Sequence, residues 1–274
     1  MVRWVRLAAA LGALLLGACA ARQGSERARA DLAAGAMVSL PSGRFFLGAG
    51  TGPNRDIPTN DAVGPLLLDR TEVTVAAYGE CVKAGKCTPA ATTVDWQWIK
   101  NSERTAWSVF CNGNRADRAD HPANCVTWWQ ASAYCAWAGK RLPTEAEWEW
   151  AARNGDEATK FPWGNDAPAA QLCWNGAGND KGVRRRNSTC PVGSPPGGAS
   201  RLGVQDLAGG VWEWTSSESV VGADSRGRGG STVKVARGGA WADLEPSDVS
   251  ATVRLLDLPS RRDAEVGFRC ASNP

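Results

Sequence analysis

The sequence predicts one globular domain that combines short helices with short strands. Residues 120–155, in the middle of the chain, contain two helix patterns, each with its own start and stop signals. Near the end, residues 210–214, 233–241 and 266–271 read as strands. The 274 residues are 43% hydrophobic and 22% charged, which suits one large core. We therefore expect a single mature domain with both kinds of element.

The first central helix is expected over residues 128–138. Thr127 and Gln130 fit a capping box, in which the two side chains satisfy free N–H groups at the helix start. Gly139 suits the left-handed position that ends many helices. One apolar face lies between these signals, made of Ala131, Tyr134, Cys135 and Ala138.

The second central helix follows at once. Pro143 fixes its entry, Thr144 caps its first N–H groups and Glu147 reaches back to the start. Acidic side chains lie at the positive end of the helix dipole, which stabilises them there. We expect Gly155 to close this helix.

The first part of the domain should contain strands and one more helix. Residues 37–47 alternate between apolar and polar around a Pro-Ser-Gly turn, which predicts two short strands. Further on, Thr74 can cap a helix over residues 75–84, with Gly85 as its stop.

The N-terminus is a targeting segment. Arg3 and Arg6 precede an apolar run over residues 7–16, which is too short for a permanent membrane span. The sequence Leu-Gly-Ala-Cys ending at Cys19 looks like a bacterial lipobox, so we expect residues 1–18 to be a signal peptide. Cys19 then carries the lipid anchor, residues 19–36 form a tether, and the domain spans 37–274. A soluble secreted protein, cleaved nearby, is the alternative.

The cysteines indicate disulfides. The chain has nine, and without Cys19 an even number remains in an exported protein, which favours disulfides over metal thiolates. Proximity along the chain favours three pairs: Cys81 with Cys87, Cys111 with Cys125, and Cys173 with Cys190.

Residues 86–120 are expected to form an irregular, disulfide-braced excursion. They contain Trp96, Trp98 and Trp107 but little periodicity. Irregular insertions often carry binding surfaces, and exposed Trp rings can stack on sugars or on peptide aromatics. The competing interpretation is that these side chains fill the local core.

Charge and histidine content exclude some functions. A formal charge of +3 is too small to indicate nucleic acid, and the Arg run at 184–186 reads as a solvated loop rather than a phosphate site. The chain has one histidine, His121, which we interpret as structural rather than as a general base. With a single His, a nucleophile triad is unsupported.

Several motifs together resemble the formylglycine-generating-enzyme family, also called sulfatase-modifying factors. The nearest match is CAWAGKRLPTEAEWEWAAR at residues 135–153. Others are MVSLPSGRFFLG, DRTEVTVAAYGECV, FPWG, LGVQDLAGGVWEWTS, VARGGAW and GFRC, in the family's order over residues 37–272. The resemblance implies an α+β, C-type-lectin-like domain with two main helices, short twisted antiparallel sheets and much irregular chain. It also implies a disulfide between Cys135 and Cys270.

The resemblance also implies where oxidase chemistry would lie. Family enzymes hold copper(I) with two cysteines that follow the GGS-aromatic strand, because copper(I) prefers soft thiolates. Those positions correspond here to Asp243 and Asp248, and the serine of the motif corresponds to Ala240, followed by Trp241. Copper is therefore not expected. The acidic residues here, with Glu245, could be a recognition floor, a hard-cation site or a solvated turn.

A structural calcium ion is the cofactor that the resemblance favours. By position, its ligands would be the side chains of Asp206 and Glu213 and the carbonyls of Gly209 and Val211, all hard oxygen ligands. Gly210 departs from the family, which commonly has Asn there. If no ion binds, Glu213 would pair with a nearby Arg.

Two functional hypotheses follow. The first is an envelope lipoprotein, expected at the outer membrane, whose extracytoplasmic domain is a non-catalytic binding or scaffold module. Its expected partners are the membrane, through the lipid anchor, and an envelope protein or glycan, and no nucleic acid. The second is an oxidoreductase of the same family with altered metal or substrate chemistry.

Overall fold

The computed structural model describes the domain over most of its length. The described residues are 37–48, 59–176, 188–195, 197–222 and 229–274. The predicted signal peptide, lipidated Cys19 and tether lie outside them. Within these ranges, no helix is both long and apolar enough to cross a bilayer.

The described part of the chain contains four α-helices. They are α1 (Val75–Lys83), α2 (Asn101–Ser108), α3 (Trp128–Trp137) and α4 (Glu145–Ala152). Three of them, α1, α3 and α4, were predicted from the sequence, and α2 is additional.

The predicted caps of α3 and α4 are confirmed. The Thr127 hydroxyl accepts the Gln130 N–H at 3.2 Å, and the Gln130 side chain accepts the Thr127 N–H at 3.0 Å. Thr144 and Glu147 make the same reciprocal pair at 3.1 and 2.7 Å. Local sequence signals therefore set where both helices begin.

Two helix predictions need correction. The helix expected to run to Gly155 ends at Ala152, because Asn154 adopts a left-handed conformation with φ 60°. Helix α2 was not predicted, because residues 86–120 lack a regular apolar period. It begins instead with a capping interaction in which Glu103 accepts the Lys100 N–H at 2.9 Å, and none of its residues is fully buried.

The strands form three small sheets. A four-stranded sheet has the order β7 (Arg254–Asp257), β6 (Ser231–Arg237), β5 (Trp212–Val221), β8 (Val266–Gly267). A three-stranded sheet has the order β1 (Met37–Leu40), β4 (Leu66–Asp69), β9 (Ala271–Ser272), and a pair joins β2 (Gly43–Leu47) to β3 (Thr59–Val63). All pairs are antiparallel except β5 with β8, which is parallel.

The sequence predicted the positions of the strands better than it predicted their lengths. The two strands predicted over residues 37–47 exist, but each pairs with a later strand rather than with the other. The strand expected to reach Trp241 ends at Arg237, because Gly238 and Gly239 have φ values of 105° and 75°. The stretch 266–271 is split between β8 and β9.

The largest buried apolar cluster joins α1 and α3 to β5, β6 and β8. Trp214 and Phe268 belong to this cluster and are fully buried. The disulfide between Cys135 of α3 and Cys270 closes a separation of 135 residues. The helices and the last strands are thereby held as one scaffold beneath the loops that follow β6.

Candidate functional site

The candidate site begins where β6 ends. Two backbone hydrogen bonds tie this strand end to a glycine pair before β5: Gly209 N–H donates to Gly238 O, and Trp241 N–H donates to Gly210 O, both at 2.9 Å. A side chain on Gly209 would lie 2.5 Å from the Cys173 carbonyl oxygen. The close backbone approach therefore requires glycine at position 209.

Asp243 folds back onto the turn that follows Trp241. Its Oδ2 accepts the Ala240 N–H at 2.7 Å, and its carbonyl accepts the Asn175 N–H at 3.2 Å. Burial raises the pKa of Asp243 to about 7; the Ala240 amide opposes this and the charge of Asp248 adds to it. The carboxyl thus exchanges its proton near neutral pH.

The other acidic residues of this turn are more open. Asp248 is half-buried and its N–H donates to Glu245 O at 2.9 Å, while the Glu245 side chain is exposed. The Asp248 carbonyl oxygen would lie 2.3 Å from a side chain on Gly239. The turn therefore packs tightly against the glycine that begins it.

An aromatic cover lies over the strand end. The rings of Trp107 and Phe110 pack on the ring of Trp241, with centroids 6.0 and 5.1 Å from it, and on each other at 5.8 Å. Trp241 is only 2% exposed. Helix α2 and the residues after it thus bury the aromatic side chain of the motif.

A buried ionic group lies on the other side of the glycine pair. We call Glu72, Asp206, Glu213 and Arg269 the Arg269 cluster. Arg269 donates from Nε and Nη2 to the two oxygens of Glu213, at 2.6 and 2.7 Å. Trp148 Nε1 donates to the same carboxylate at 2.8 Å. Glu213 is therefore held by three charge-assisted or polar hydrogen bonds, with both oxygens in use.

Unlike Glu213, Glu72 is not held by hydrogen bonds at both of its carboxylate oxygens. Its Oε2 is buried without a hydrogen-bond partner, and its Oε1 would lie 2.5 Å from a side chain on Gly210. Burial raises the pKa of Glu72 well above its usual value, and the charges of Asp206 and Glu213 raise it further. Burial also raises the pKa of Asp206, although the Gly193 N–H donates to its Oδ2 at 2.5 Å.

The Arg269 cluster fits a divalent cation by charge. It contains three carboxylates and one guanidinium, an excess of two negative charges when all are ionised, and one carboxylate oxygen lacks a partner. Among the described residues, no three His, Cys, Asp or Glu side chains are grouped closely enough to hold a metal by themselves. A calcium ion would therefore need carbonyl ligands as well, and the sequence analysis expected these from Gly209 and Val211.

The pairing of Glu213 with an arginine, which the sequence analysis gave as the alternative to calcium binding, is present, and Arg269 is the partner. Gly210 has φ 67°, and its missing side chain leaves room for Glu72. This contact gives a physical reason for glycine at that position.

His121 lies away from both groups. It is buried, its Nδ1 lies 2.8 Å from the Thr189 hydroxyl and 3.2 Å from Arg118. Burial and the Arg118 charge lower its pKa. These contacts hold the ring in place.

The described residues contain four disulfides, and they are the pairs that the sequence analysis expected: Cys81–Cys87, Cys111–Cys125, Cys135–Cys270 and Cys173–Cys190. The second and fourth lie near the aromatic cover, because Trp107 and Phe110 pack against the two buried clusters that contain these disulfides.

Sequence reasoning missed Glu72, Arg269 and Phe110 as site residues, and it named Trp107 as a possible binding residue without placing it against Trp241. A signal existed for Arg269, a charged residue between the apolar Phe268 and a disulfide cysteine. For the two aromatic residues no local pattern points to Trp241, since they reach it from a different part of the chain.

The sequence of this chain is similar to those of several known proteins. Residues 22–274 match the family model described as the sulfatase-modifying factor enzyme 1-like domain. The chain is 32% identical over 276 residues to the inactive C-alpha-formylglycine-generating enzyme 2 of Bos taurus, covering 86% of this chain and 87% of the relative. It is 30% identical over 301 residues to the formylglycine-generating enzyme of Thermomonospora curvata, covering 91% and 97%.

A solved structure has the same fold. PvdO from Pseudomonas aeruginosa superposes with a TM-score of 0.62 at 26% identity, covering 87% of this chain and 94% of that one. The likeness extends over nearly the whole described domain.

Proposed function

The chain belongs to the family of sulfatase-modifying factor enzyme 1-like domains, and from this premise we propose that it is a non-catalytic binding or scaffold module of the cell envelope. One observation carries this proposal. At the strand end where the family resemblance places two copper-binding cysteines, this chain has Asp243 and Asp248, and the Asp243 carboxyl is bonded to its own turn. Carboxylates cannot replace the soft thiolates that copper(I) needs.

The aromatic cover supports the same proposal. Trp107 and Phe110 pack on Trp241, so the motif's aromatic residue is not open to a substrate. The similarity to a relative whose name describes it as inactive is also in keeping with a family that includes non-catalytic members. We also propose that the fold is C-type-lectin-like, as the family resemblance implies.

An oxidoreductase with altered metal or substrate chemistry is the second candidate. The similarity to the formylglycine-generating enzyme of Thermomonospora curvata favours it. So does the Asp243 carboxyl, whose pKa of about 7 suits proton exchange at neutral pH.

A direct assay separates the two candidates. The purified, disulfide-intact domain is incubated with copper(I), oxygen and a cysteine-containing sulfatase peptide, and bound copper and peptide mass are measured. We expect neither stoichiometric copper nor a change in peptide mass. Formylglycine in the peptide would overturn the non-catalytic proposal, and the Thermomonospora curvata enzyme serves as the positive control.

A variant makes this assay sharper. In the double variant Asp243→Cys with Asp248→Cys, both thiolate positions of the family are restored. We expect it to bind copper(I) where the parent chain does not. If the parent binds copper equally well, the two carboxylates are not the reason for a lost activity.

A structural calcium ion is proposed for the Arg269 cluster. Asp206 and the Gly209 and Val211 carbonyls would hold it together with Glu213, which would have to exchange part of its hydrogen bonding to Arg269 and Trp148 for the ion. The unpartnered oxygen of Glu72 supports this proposal. The ion would neutralise buried carboxylates and join the glycine pair to β5.

Anchoring to the outer membrane through Cys19 is also proposed. The lipobox supports it, and two or more acyl chains give stable anchoring. Labelling with radioactive palmitate in a bacterial host should mark the parent chain and not Cys19→Ser. The described domain would then face an extracytoplasmic protein or glycan.

A further inference from the structure

A cavity of about 310 Å³ lies between helix α1 and residues 86–120. Its walls are mainly apolar, formed by Val75, Tyr78, Val82, Pro89, Ala90 and Ala123. Tyr78 and Ala123 are buried, whereas Pro89 is exposed, so the cavity opens to solvent along the Pro89 side. Its size and composition are those of a small-molecule site.

The walls of this cavity are fixed before any ligand arrives. The Tyr78 hydroxyl donates to the Thr88 carbonyl at 2.9 Å, and the Tyr78 ring stacks on Tyr134 with centroids 5.7 Å apart. The disulfide Cys81–Cys87 ties α1 to the segment that leads to Pro89, and Cys111–Cys125 ties the opposite wall. A preformed cavity binds without a large ordering cost.

A glycine inside α1 keeps the cavity open. Gly79 lies in the middle of the helix, where glycine is unfavourable relative to alanine. It lines the cavity, and a side chain built on it would meet no atom within 4 Å. The helix therefore tolerates a side chain here, and its absence leaves space that a ligand can use.

The rim of the cavity supplies hydrogen-bond donors. Lys83 and Asn114 both line the cavity and are exposed. Lys83 pairs with Glu80 at 2.7 Å, but the two side chains are 75% and 47% exposed, and such exposed pairs are weak. A carboxylate at the rim can therefore displace Glu80.

From the apolar walls, the open space at Gly79 and the cationic rim, we propose that this cavity binds a small carboxylate with one aromatic or branched aliphatic group. The apolar group lies against Val75, Val82 and the Tyr78 ring, and the carboxylate faces Lys83. None of the lining residues belongs to the Arg269 cluster or to the aromatic cover. Binding here is thus independent of whether the strand end at Trp241 is catalytic.

The test uses phenylacetate and its neutral amide, phenylacetamide, as probes. Each is titrated into the disulfide-intact domain while amide NMR signals are followed. We expect phenylacetate to shift the Gly79 and Gly113 amides saturably and to bind more tightly than phenylacetamide. In Lys83→Met, which keeps the apolar stem, this preference for the acid should disappear.

Blocking variants complete the test. Gly79→Leu fills the cavity and should weaken both probes at least tenfold, whereas Gly64→Leu, at another open glycine outside the cavity, should leave binding unchanged. Gly79→Ala removes the helix glycine and should raise Tm by about 2–4 °C while weakening binding. Saturable binding that survives Gly79→Leu, shifts confined to other residues, or no binding of either probe would overturn the proposal.

Discussion

The Arg269 cluster and the turn at Asp243 both bury carboxylates beside the glycine pair Gly209–Gly210. The two regions differ in the groups that stabilise the buried carboxylates. In the cluster, Arg269 donates to both oxygens of Glu213 and to the carbonyl oxygens of Gln205 and Asp206. At the turn, Asp243 is set by burial, by the Ala240 amide and by the charge of Asp248.

The difference teaches what each place can do. The Arg269 guanidinium is held by several acceptors in the cluster. Breaking its buried ion pair would leave an uncompensated charge, so the cluster stabilises the fold. A carboxyl whose pKa lies near 7 can instead change its protonation at neutral pH without breaking an ion pair. Only the first region depends on a fixed charge for the stability of the fold.

The largest expected effect comes from removing the guanidinium. Arg269→Met keeps most of the volume but leaves the three carboxylates of the cluster without their cation. We expect the free energy of unfolding to fall by ~3–5 kcal/mol. Urea denaturation of the disulfide-intact domain measures this loss.

Arg237→Met is the matched control, because Arg237 is also fully buried and donates to two carboxylates, Glu145 and Glu149. Those carboxylates keep other partners, Arg254 and Arg153 respectively. The control should therefore cost less, ~1–3 kcal/mol. Equal losses in the two variants would show that the charge excess of the Arg269 cluster has no energetic consequence.

Calcium should have the next largest effect. An ion that binds only the folded state adds ~2.7 kcal/mol of stability when its free concentration is one hundred times Kd. We expect calcium to raise Tm and a chelator to reverse the rise. Measurement is by thermal melting monitored by circular dichroism.

Glu72→Gln tests whether this effect belongs to the Arg269 cluster. The variant removes one negative charge from the cluster, so the response of Tm to calcium should shrink or vanish. A melt of the parent chain that does not change with calcium or chelator contradicts the calcium proposal. A full response in Glu72→Gln places the ion elsewhere.

The third effect is a pH dependence at Asp243, which is small over any one pH unit. Between its usual pKa of about 3.9 and its folded pKa of about 7, the folded chain holds a proton that the unfolded chain has lost. Stability therefore falls as pH rises through this window, by at most ~1.4 kcal/mol per pH unit. Asp243→Asn keeps an oxygen for the Ala240 N–H and should flatten that part of the slope.

This difference in slope is measured by urea denaturation of the parent and of Asp243→Asn. The pH is varied from about 4 to about 8, a range that covers the window. Burial also raises the pKa of Glu145 to about 7. Because Glu145 is present in both chains, its contribution cancels in that difference. Parallel stability curves would mean that Asp243 does not titrate in this range.

Much of the fold was predictable where the signals are local. The starts of α3 and α4 follow from Thr127 and Thr144, whose side chains satisfy N–H groups within three residues. Helix α2 was not predictable in this way, since its Trp107 is half-buried against a distant strand end rather than along an apolar helix face. The candidate site was predictable only in part, because Glu72 and Arg269 are far apart in the chain.

By itself the sequence indicated the family, the starts of its main helices and, through proximity and the family resemblance, the four cysteine pairs. These depend on short-range patterns or on motifs that can be read along the chain. Only the tertiary structure decided that Arg269 reaches Glu213, that Glu72 lies buried without a partner at one oxygen, and that Trp107 and Phe110 cover Trp241. The reason is physical: burial and charge balance depend on which distant side chains meet, and folding alone brings them together.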